Sequence, residues 1–216
     1  MKALIISDIH ANYPALQAVL EKESGYDKLI FLGDVVDYGP YPKECVKFIK
    51  ENVDYYVLGN HDNVLAFNVD CNCMKTYREY SIATREWHKT LLNDDDKKFL
   101  REMLIVNKAH IGENSFFLAH ASPQGDIFKY LNADEIDSEI KNINAEYILL
   151  GHTHVQYKKK IENTLVVNPG SVGLARDDGP VSASASQGGQ ACYAVFADGE
   201  IHLKRIDYDI EKTISG

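Results

Sequence analysis

Seven side chains of the types that bind divalent metal ions follow short apolar runs of this chain. Two are aspartates, one is an asparagine and four are histidines: Asp8, His10, Asp34, Asn60, His120, His152 and His154. Each apolar run has the length and the Gly or polar flanks of a buried strand. In open α/β sheets, functional groups gather beyond the carboxyl ends of strands. The pattern therefore predicts that five loops meet at one metal-binding pocket, which favours hydrolase chemistry.

Composition narrows the range of partners. The chain has 216 residues, of which 45% are hydrophobic and 25% are charged, values typical of one globular α/β domain spanning residues 1–216. The formal net charge of −9 argues against general nucleic-acid binding, because phosphate backbones require a basic surface. Small phosphate substrates remain compatible with this charge, because bound divalent ions can reverse the local sign.

The sequence also favours a cytoplasmic protein. We expect no membrane span, because no stretch approaches about 18 uncharged apolar residues. The N-terminal segment is expected to be a strand that carries Asp8, and not a signal peptide. Four cysteines without a regular framework favour a reducing compartment. Cys71 and Cys73 could be half of a zinc site, but two simple thiols are favoured because a structural zinc needs four ligands.

Strands and helices are predicted to alternate through the first sixty residues. Apolar runs predict strands over residues 2–7, 28–33 and 54–59. Helical spacing of apolar residues predicts helices over residues 14–23 and 42–51. This βαβαβ order implies a largely parallel sheet with right-handed crossovers.

Helices are predicted for residues 63–103. One is indicated by the spacing of four large side chains: Tyr77, Ile82, Trp87 and Leu91. A second is predicted from Asp94 to about Met103, and its three leading aspartates suit a helix N-terminus, where negative charge offsets the helix dipole. A metal site at these aspartates is the weaker alternative, because nothing nearby supplies further ligands.

The second half of the chain is predicted to be mainly antiparallel. Strands are expected over residues 104–111, 115–119, 147–151, 156–161, 164–168, 191–197 and 200–206, and a helix over 134–143. The last two strands flank Asp198-Gly199, a strong two-residue turn signal. The predicted fold is α/β (α+β), with two mixed β-sheets packed as a sandwich and helices on the outer faces.

Five motifs in this order resemble those of the calcineurin-like metallophosphoesterase superfamily. They are Asp8-x-His10, Gly33-Asp34-x-x-Asp37, Gly59-Asn60-His61-Asp62, the lone His120, and Gly151-His152-x-His154. Three longer strings resemble its small bacterial and archaeal phosphodiesterase branch: residues 7–12, 33–40 and 168–173. The resemblance covers most of the chain and implies the metallophosphoesterase fold and a phosphoesterase activity, but it does not specify the substrate.

The resemblance implies two divalent ions with separate ligand sets. Asp8, His10 and His154 would hold one ion, Asn60, His120 and His152 would hold the other, and Asp34 would bridge them. Mixed oxygen and nitrogen ligands suit manganese, which we expect first, with iron, zinc, nickel or cobalt as alternatives, and they disfavour magnesium alone. A water bridging the two ions would be acidified to hydroxide and would act as the nucleophile.

Two adjacent residues are predicted to take part in catalysis. His61 matches the superfamily's histidine that approaches the phosphate without binding metal, where it could protonate the leaving oxygen or stabilise developing charge. Asp62 is expected to orient the His61 ring, and capping of a following helix is its alternative role. Asp37 is expected to be a supporting or turn residue and not a ligand.

Three residues are predicted to contact substrate: Asn12, Tyr38 and Arg176. Loop capping is an equal alternative for Asn12. Arg176 precedes a Ser-, Ala- and Gly-rich segment, and residues 174–190 have the composition of a mobile flap that could cover the pocket. A guanidinium there could grip phosphate with two hydrogen bonds. The alternative is a surface loop in which Arg176 pairs with a neighbouring aspartate.

The expected function is a dinuclear metal-dependent phosphoesterase acting on phosphodiesters or small phosphorylated metabolites. A phosphomonoesterase is the alternative enzyme, either a protein phosphatase or a dinucleoside polyphosphate hydrolase, and a non-catalytic scaffold is the third hypothesis. Superfamily protein phosphatases clamp phosphate with arginines beside their metal motifs, whereas the candidates here are the more distant Arg78, Arg85 and Arg176. Retention of every matched position disfavours a scaffold. The expected partner is a small phosphate ester, with neither membrane nor general nucleic acid, and the oligomeric state is not predicted.

Overall fold

Ten strands form two five-stranded sheets in the computed structural model, which describes residues 1–69, 75–131, 134–176 and 189–215. In chain order the strands are β1 (Ala3–Ile6), β2 (Lys28–Phe31), β3 (Tyr55–Tyr56), β4 (Val106–Ile111), β5 (Asn114–Ala119), β6 (Tyr147–Leu149), β7 (Gln156–Ile161), β8 (Thr164–Pro169), β9 (Gln190–Ala197) and β10 (Glu200–Asp207). The helices are α1 (Tyr13–Lys22), α2 (Pro42–Asn52), α3 (Asn60–Phe67), α4 (Lys75–Leu91), α5 (Asp94–Glu102), α6 (Ile136–Ile140) and α7 (Ile210–Ile214). Cys71, Cys73 and residues 177–188 of the predicted flap lie outside the described residues.

Both sheets contain parallel and antiparallel pairs. The first has the order β10-β9-β1-β2-β3, with β1, β2 and β3 parallel to one another. The second has the order β4-β5-β6-β8-β7, with β5, β6 and β8 parallel. The prediction of a mainly antiparallel second half is wrong for these three strands. The chain returns through α6 between β5 and β6, and through β7 between β6 and β8. These three strands therefore run in the same direction.

The two sheets pack face to face through apolar side chains. Ile5 and Ile30 of the first sheet share one buried cluster with Phe116, Leu118 and Val167 of the second. The outer cluster of the first sheet includes residues of α1, α2 and α5, and that of the second includes residues of α6. The predicted sandwich with helices on its outer faces is confirmed. Within the described ranges, no helix is both long and apolar enough to cross a membrane.

The parallel strands bring the chain repeatedly to the same edge of each sheet. In the first sheet, the segments after β1, β2 and β3 carry Asp8, Asp34 and Asn60. In the second sheet, the segments after β5 and β6 carry His120 and His152. Asn60 is the first residue of α3, so the third segment is a helical turn and not the predicted loop.

The helix predicted around Tyr77 is present as α4, but a different face of it is buried. Ile82 and Trp87 are 43% and 42% exposed, whereas Arg85 and His88 are buried. Buried polar groups require hydrogen-bond partners, and those of α4 find them in the segment that follows β2. The hydrophobic spacing therefore located the helix but not the side that packs against the rest of the protein.

Candidate metal centre

The predicted metal-binding side chains lie together beyond the carboxyl ends of the parallel strands. Two groups of three could each hold an ion: Asp8, His10 and His154, and Asp34, His120 and His152. In each group the ligand atoms lie within 4.8 Å of one another, and every member is buried. Strand direction thus brings residues that are far apart in sequence into two adjoining clusters.

Asp34 and Asn60 link the members of these groups. The Oδ2 atom of Asp34 lies 3.2 Å from Nε2 of His120 and 3.9 Å from Nε2 of His10, so one carboxylate adjoins both clusters. The Oδ1 atom of Asn60 lies 3.0 Å from Nε2 of His120 and 2.9 Å from Nδ1 of His152. All seven predicted residues are therefore in one constellation.

Main-chain carbonyl groups fix the tautomers of three histidines. His10, His120 and His154 each direct Nδ1 to a carbonyl oxygen; in the same order, the acceptors are Val36 at 3.0 Å, Leu32 at 2.7 Å and Leu174 at 2.8 Å. A carbonyl oxygen can only accept a hydrogen bond, so each Nδ1 must carry the proton. In the neutral ring the Nε2 lone pair is then directed at the cluster, which is the arrangement of metal-binding histidines.

The donor set fits divalent metal ions. Nε2 of His10 lies 3.1 Å from Nε2 of His154. In two neutral rings with protonated Nδ1 atoms, the lone pairs of these nitrogens would repel each other unless a proton or a cation lay between them. Two further buried atoms, Asp8 Oδ1 and His152 Nε2, have no hydrogen-bond partner among the described residues. A buried polar atom without a partner lowers the stability of the folded state, and ligation of a metal ion would provide that partner.

Proton binding cannot supply positive charge to every ring of the cluster. Burial opposes protonation of His120, but the adjacent Asp34 carboxylate raises the pKa of His120 to about 9. Burial and His154 lower the pKa of His10 to about 3. Burial and His120 lower the pKa of His152 to about 3. Divalent ions can provide the remaining positive charge that the two carboxylates attract.

The ligand segments adopt an unusual backbone conformation. Eleven non-glycine residues in the described part of the chain have positive φ, and eight of them lie in these segments: Asp8, His10, Ala11, Asp34, Asp37, Tyr38, His152 and His154. Left-handed conformations are unfavourable for residues with a Cβ and persist where surrounding structure fixes them. The main chain at Gly59 also packs closely against the Asp34 side chain, because a Cβ at this position would lie 2.1 Å from Asp34 Oδ1.

Asp62 does not orient the His61 ring, so that prediction is wrong. Its buried carboxylate accepts main-chain hydrogen bonds from Asp34 at 2.7 Å, Val35 at 2.8 Å, Val36 at 3.3 Å and Gly59 at 3.2 Å. The Gly59 contact is the predicted capping alternative, and the other three join the segment after β2 to α3. Burial and the charge of Asp34 raise the pKa of Asp62 to about 7, while these N–H donors oppose the rise.

Asp37 is the residue that holds the His61 ring. Its Oδ2 atom lies 2.7 Å from Nδ1 of His61, and Asp37 is completely buried. Burial opposes protonation, but the charge of Asp34 and the hydrogen bond to Asp37 raise the pKa of His61 above its usual value. With Nδ1 occupied, Nε2 is the ring nitrogen available to the adjoining pocket.

A small pocket opens over the two clusters. It is lined by Asp34, Tyr38, His61, Tyr77, Tyr130, His152, His154 and Arg176. Tyr38 and Arg176 therefore lie where a substrate contact was predicted. Tyr77 of α4 and Tyr130 were not predicted as pocket residues. No sequence motif surrounds Tyr130, so the sequence did not indicate its position. Tyr77 lies on a helix with a polar face, and that pattern could have indicated a helix that packs against the site.

Asn12 has a structural role, and its predicted substrate contact is wrong. It caps α1 by accepting a hydrogen bond from the Ala15 N–H at 3.2 Å. Its amide nitrogen donates to the Gly173 carbonyl at 3.1 Å and to the Tyr208 hydroxyl at 3.0 Å. These contacts use both polar atoms of a side chain that does not line the pocket.

Comparison with known proteins establishes the family. A family model described as the calcineurin-like phosphoesterase superfamily domain matches residues 1–186. The chain belongs to this superfamily. It is also 32% identical over 219 residues to the uncharacterized protein MJ0912 of Methanocaldococcus jannaschii, covering 96% of this chain and 88% of that protein.

Two relatives of the superfamily have names that state an activity. Phosphodiesterase YfcE of Escherichia coli is 25% identical over 185 residues, which cover 84% of this chain and 85% of that protein. Bis(5'-nucleosyl)-tetraphosphatase PrpE of Bacillus subtilis is 25% identical over 213 residues, which cover 78% of this chain and 85% of that protein.

A solved structure agrees with the fold. The metallophosphoesterase from Sphaerobacter thermophilus superimposes with a TM-score of 0.79 and 26% sequence identity, over 100% of this chain and 91% of that one. The superfamily fold inferred from the motifs is thus confirmed.

Of the three arginines considered as phosphate clamps, one lines the pocket. Arg176 does so, and its Cζ atom lies 5.3 Å from the centre of the Tyr77 ring. Arg85 is buried and bonded to Asp37. Arg78 lines a separate groove beside Val69.

The Asp62 carboxylate can be tested as a link between two metal-binding segments. We expect Asp62→Asn to lower the free energy of unfolding by about 3 kcal/mol, because an amide keeps one acceptor oxygen and leaves the two buried N–H donors of the other oxygen without an acceptor. The matched control is Asp96→Asn, since Asp96 caps α5 from the same helical position; among the described residues its carboxylate accepts one main-chain hydrogen bond, from Asn93, and it lies 3.8 Å from Nζ of Lys50 at the surface. The control should lose less than about 1 kcal/mol.

The measurement is urea denaturation of the metal-free proteins at pH 8. Because the pKa of Asp62 is raised by burial, its ionised carboxylate opposes folding at this pH, and the loss in Asp62→Asn is a lower bound on the contribution of its main-chain hydrogen bonds. Equal losses in the two variants would mean that Asp62 only caps its own helix.

Proposed function

We propose that the protein is a dinuclear metal-dependent phosphoesterase that hydrolyses phosphodiesters or small phosphorylated metabolites. The observation that carries this proposal is the position of Asp34, whose carboxylate lies within 4 Å of a histidine from each cluster. A carboxylate shared in this way suits two neighbouring ions, and paired ions are a common device for phosphate ester hydrolysis. Membership of a phosphoesterase superfamily supports the same conclusion.

The two clusters support a ligand assignment for the proposed centre. Asp8, His10 and His154 would hold one ion, and Asn60, His120 and His152 would hold the other, with Asp34 between them. When bound, divalent ions supply Lewis-acid activation of a water molecule and neutralise phosphate charge. The mixture of carboxylate, amide and imidazole donors supports manganese first, with iron, zinc, nickel or cobalt as alternatives.

His61 acts on the substrate from the wall of the pocket. Asp37 holds its Nδ1 atom at 2.7 Å, which fixes the ring and leaves Nε2 for the substrate. From there the imidazolium donates a proton to the leaving oxygen or a hydrogen bond to the phosphoryl group. Asp62 acts indirectly on the site, because its carboxylate accepts the main-chain N–H of Asp34.

Arg176 and Tyr38 bind the phosphate ester. The Arg176 guanidinium lies over the Tyr77 ring. Burial raises the pKa of Tyr130, and the neighbouring Arg176 guanidinium opposes that rise, so Arg176 lies between two tyrosines of the pocket. The Tyr38 ring centre lies 5.1 Å from that of His61 and 4.9 Å from that of His10. A guanidinium so placed can pair with two phosphate oxygens.

The comparisons support two substrate classes to different degrees. Similarity to a phosphodiesterase favours diesters, and similarity to a tetraphosphatase favours the alternative that includes dinucleoside polyphosphates. Among the described residues, Arg176 is the one arginine that lines the pocket, whereas a protein phosphatase of this superfamily is expected to hold phosphate with several arginines. We retain cytoplasmic location and a small-molecule partner as proposals from cysteine usage and charge.

Metal removal tests the proposed class of enzyme. Chelator-treated protein should lose phosphoesterase activity and regain it with Mn²⁺, and metal analysis should find two ions per chain. Asp34→Asn should lower the content of both ions, because one carboxylate charge serves both clusters. Metal-replete protein that cleaves neither aryl diesters nor aryl monoesters would favour the scaffold hypothesis instead.

His61 can be separated from metal binding by substitution. His61→Ala should keep two ions per chain but lower kcat by about 10²–10⁴-fold, the usual range for a lost general acid or transition-state donor. His202→Ala, at an exposed position of β10, is the matched control and should retain wild-type kcat. A fully metallated His61→Ala enzyme with unchanged kcat would remove His61 from the mechanism.

Arg176 is tested by the dependence of rate on substrate concentration. Arg176→Ala should raise KM and lower kcat/KM by about tenfold or more, because a charge-assisted phosphate contact is lost. Arg101→Ala, at an exposed position of α5, is the control. A change in kcat/KM of less than about twofold would show that Arg176 does not bind the phosphate.

A further inference from the structure

One face of α4 holds the segment that carries Asp37. The hydroxyl of Thr84 accepts a hydrogen bond from the Tyr38 N–H at 3.0 Å. His88 accepts the Asp37 N–H on Nδ1 at 3.1 Å and lies 2.8 Å from the Gly39 carbonyl through Nε2. This helix therefore fixes the main chain on both sides of the carboxylate that contacts His61.

The same face also holds the side chain of Asp37. Its Oδ2 atom, which lies 2.7 Å from Nδ1 of His61, also accepts a hydrogen bond from Ser81 at 3.0 Å and one from Nη2 of Arg85. Arg85 Nη2 also contacts the Ser81 hydroxyl. Three donors thus converge on one carboxylate oxygen, and the groups that surround it are almost entirely buried.

Burial of Arg85 requires an explanation of its own. The residue is 5% exposed, and a guanidinium removed from water is unfavourable unless its charge and donors are matched. Asp37 provides the matching charge. Because Arg85 does not line the pocket, its contact with Asp37 offers a route by which it can act on His61 and so on substrate.

We propose that Arg85, together with Ser81, is a positioning residue that fixes the catalytic ring of His61 through Asp37. A carboxylate bonded only to the imidazole could rotate about its Cβ–Cγ bond and release the ring. The two donors of α4 hold Oδ2 in the orientation that directs His61 into the pocket. This inference rests on the proposed function of His61.

A double-mutant cycle separates this role from simple stabilisation. Arg85→Met should lower kcat by about 10–10²-fold, the usual effect of losing a partner that orients an active-site group, with KM and metal content little changed. In the His61→Ala background, Arg85→Met should change kcat by less than about twofold, because the group that it positions is absent. Arg101→Met is the matched control in both backgrounds.

A second readout is independent of turnover. In the metal-free protein, the Nδ1 proton resonance of His61 can be assigned by its loss in His61→Ala. That resonance should broaden or exchange faster with water in Arg85→Met, and it should be unchanged in Arg101→Met. A sharp, unshifted resonance in Arg85→Met would overturn the proposal.

The outcomes distinguish this inference from the proposed function. Wild-type kcat in His61→Ala would overturn the role of His61 and this inference with it. A loss in His61→Ala, accompanied by the same further loss on adding Arg85→Met, would overturn this inference alone. If Arg85→Met does not fold, Arg85→Lys and Ser81→Ala complete the same cycle, and both should lose kcat only while His61 is present.

Discussion

The geometry of the metal centre depends on one buried carboxylate, that of Asp62. It gathers N–H groups from the segment after β2 and from the start of α3. One of these groups belongs to Asp34, whose own side chain lies between the two ligand clusters. The Asp34 carboxylate in turn accepts a hydrogen bond from the main-chain N–H of His61 at 2.8 Å. The positions of the Asp34 carboxylate and of His61 are therefore set by the same hydrogen-bond network. Neither could move without breaking main-chain contacts in the other segment.

The two packed sheets hold the ligand segments in their strained backbone conformations. Residues with positive φ cost roughly 1–3 kcal/mol each in unfavourable cases, and most such residues in the described part of the chain belong to the ligand segments. Each segment emerges from a short strand of a sheet, and β1 is buried along its whole length, so the core fixes the points from which the strained turns depart. A well-packed core can hold such turns, whereas an isolated loop would relax.

The sequence predicted those parts of the site that follow from local patterns. Each ligand comes after an apolar run, so strand ends and residue chemistry together located all seven. The errors concern hydrogen bonds between distant segments. Asp62 was expected first to orient its neighbour His61, whereas three of its four main-chain donors lie after β2. For Asn12, a substrate contact and loop capping were equal alternatives, and it caps α1. The role of α4 was missed for the same reason. Its Ser81, Thr84, Arg85 and His88 form a polar stripe at helical spacing, and such a stripe on a helix with apolar neighbours is a usable signal of a buried polar face.

The composition of the ligand clusters also has a consequence for the chain as a polymer. Asp8 and His154 belong to the same cluster although they lie 146 positions apart in the sequence, and Asp34 and His120 of the other cluster follow strands of different sheets. An ion held by such a set would act as a reversible cross-link that joins the two sheets and closes very long loops. Cross-links of this kind restrict the unfolded chain more than the folded one, and a ligand that binds only the native state stabilises it in proportion to the logarithm of its concentration. The sheet edge proposed to bind the ions would then also stabilise the packing of the two sheets against each other.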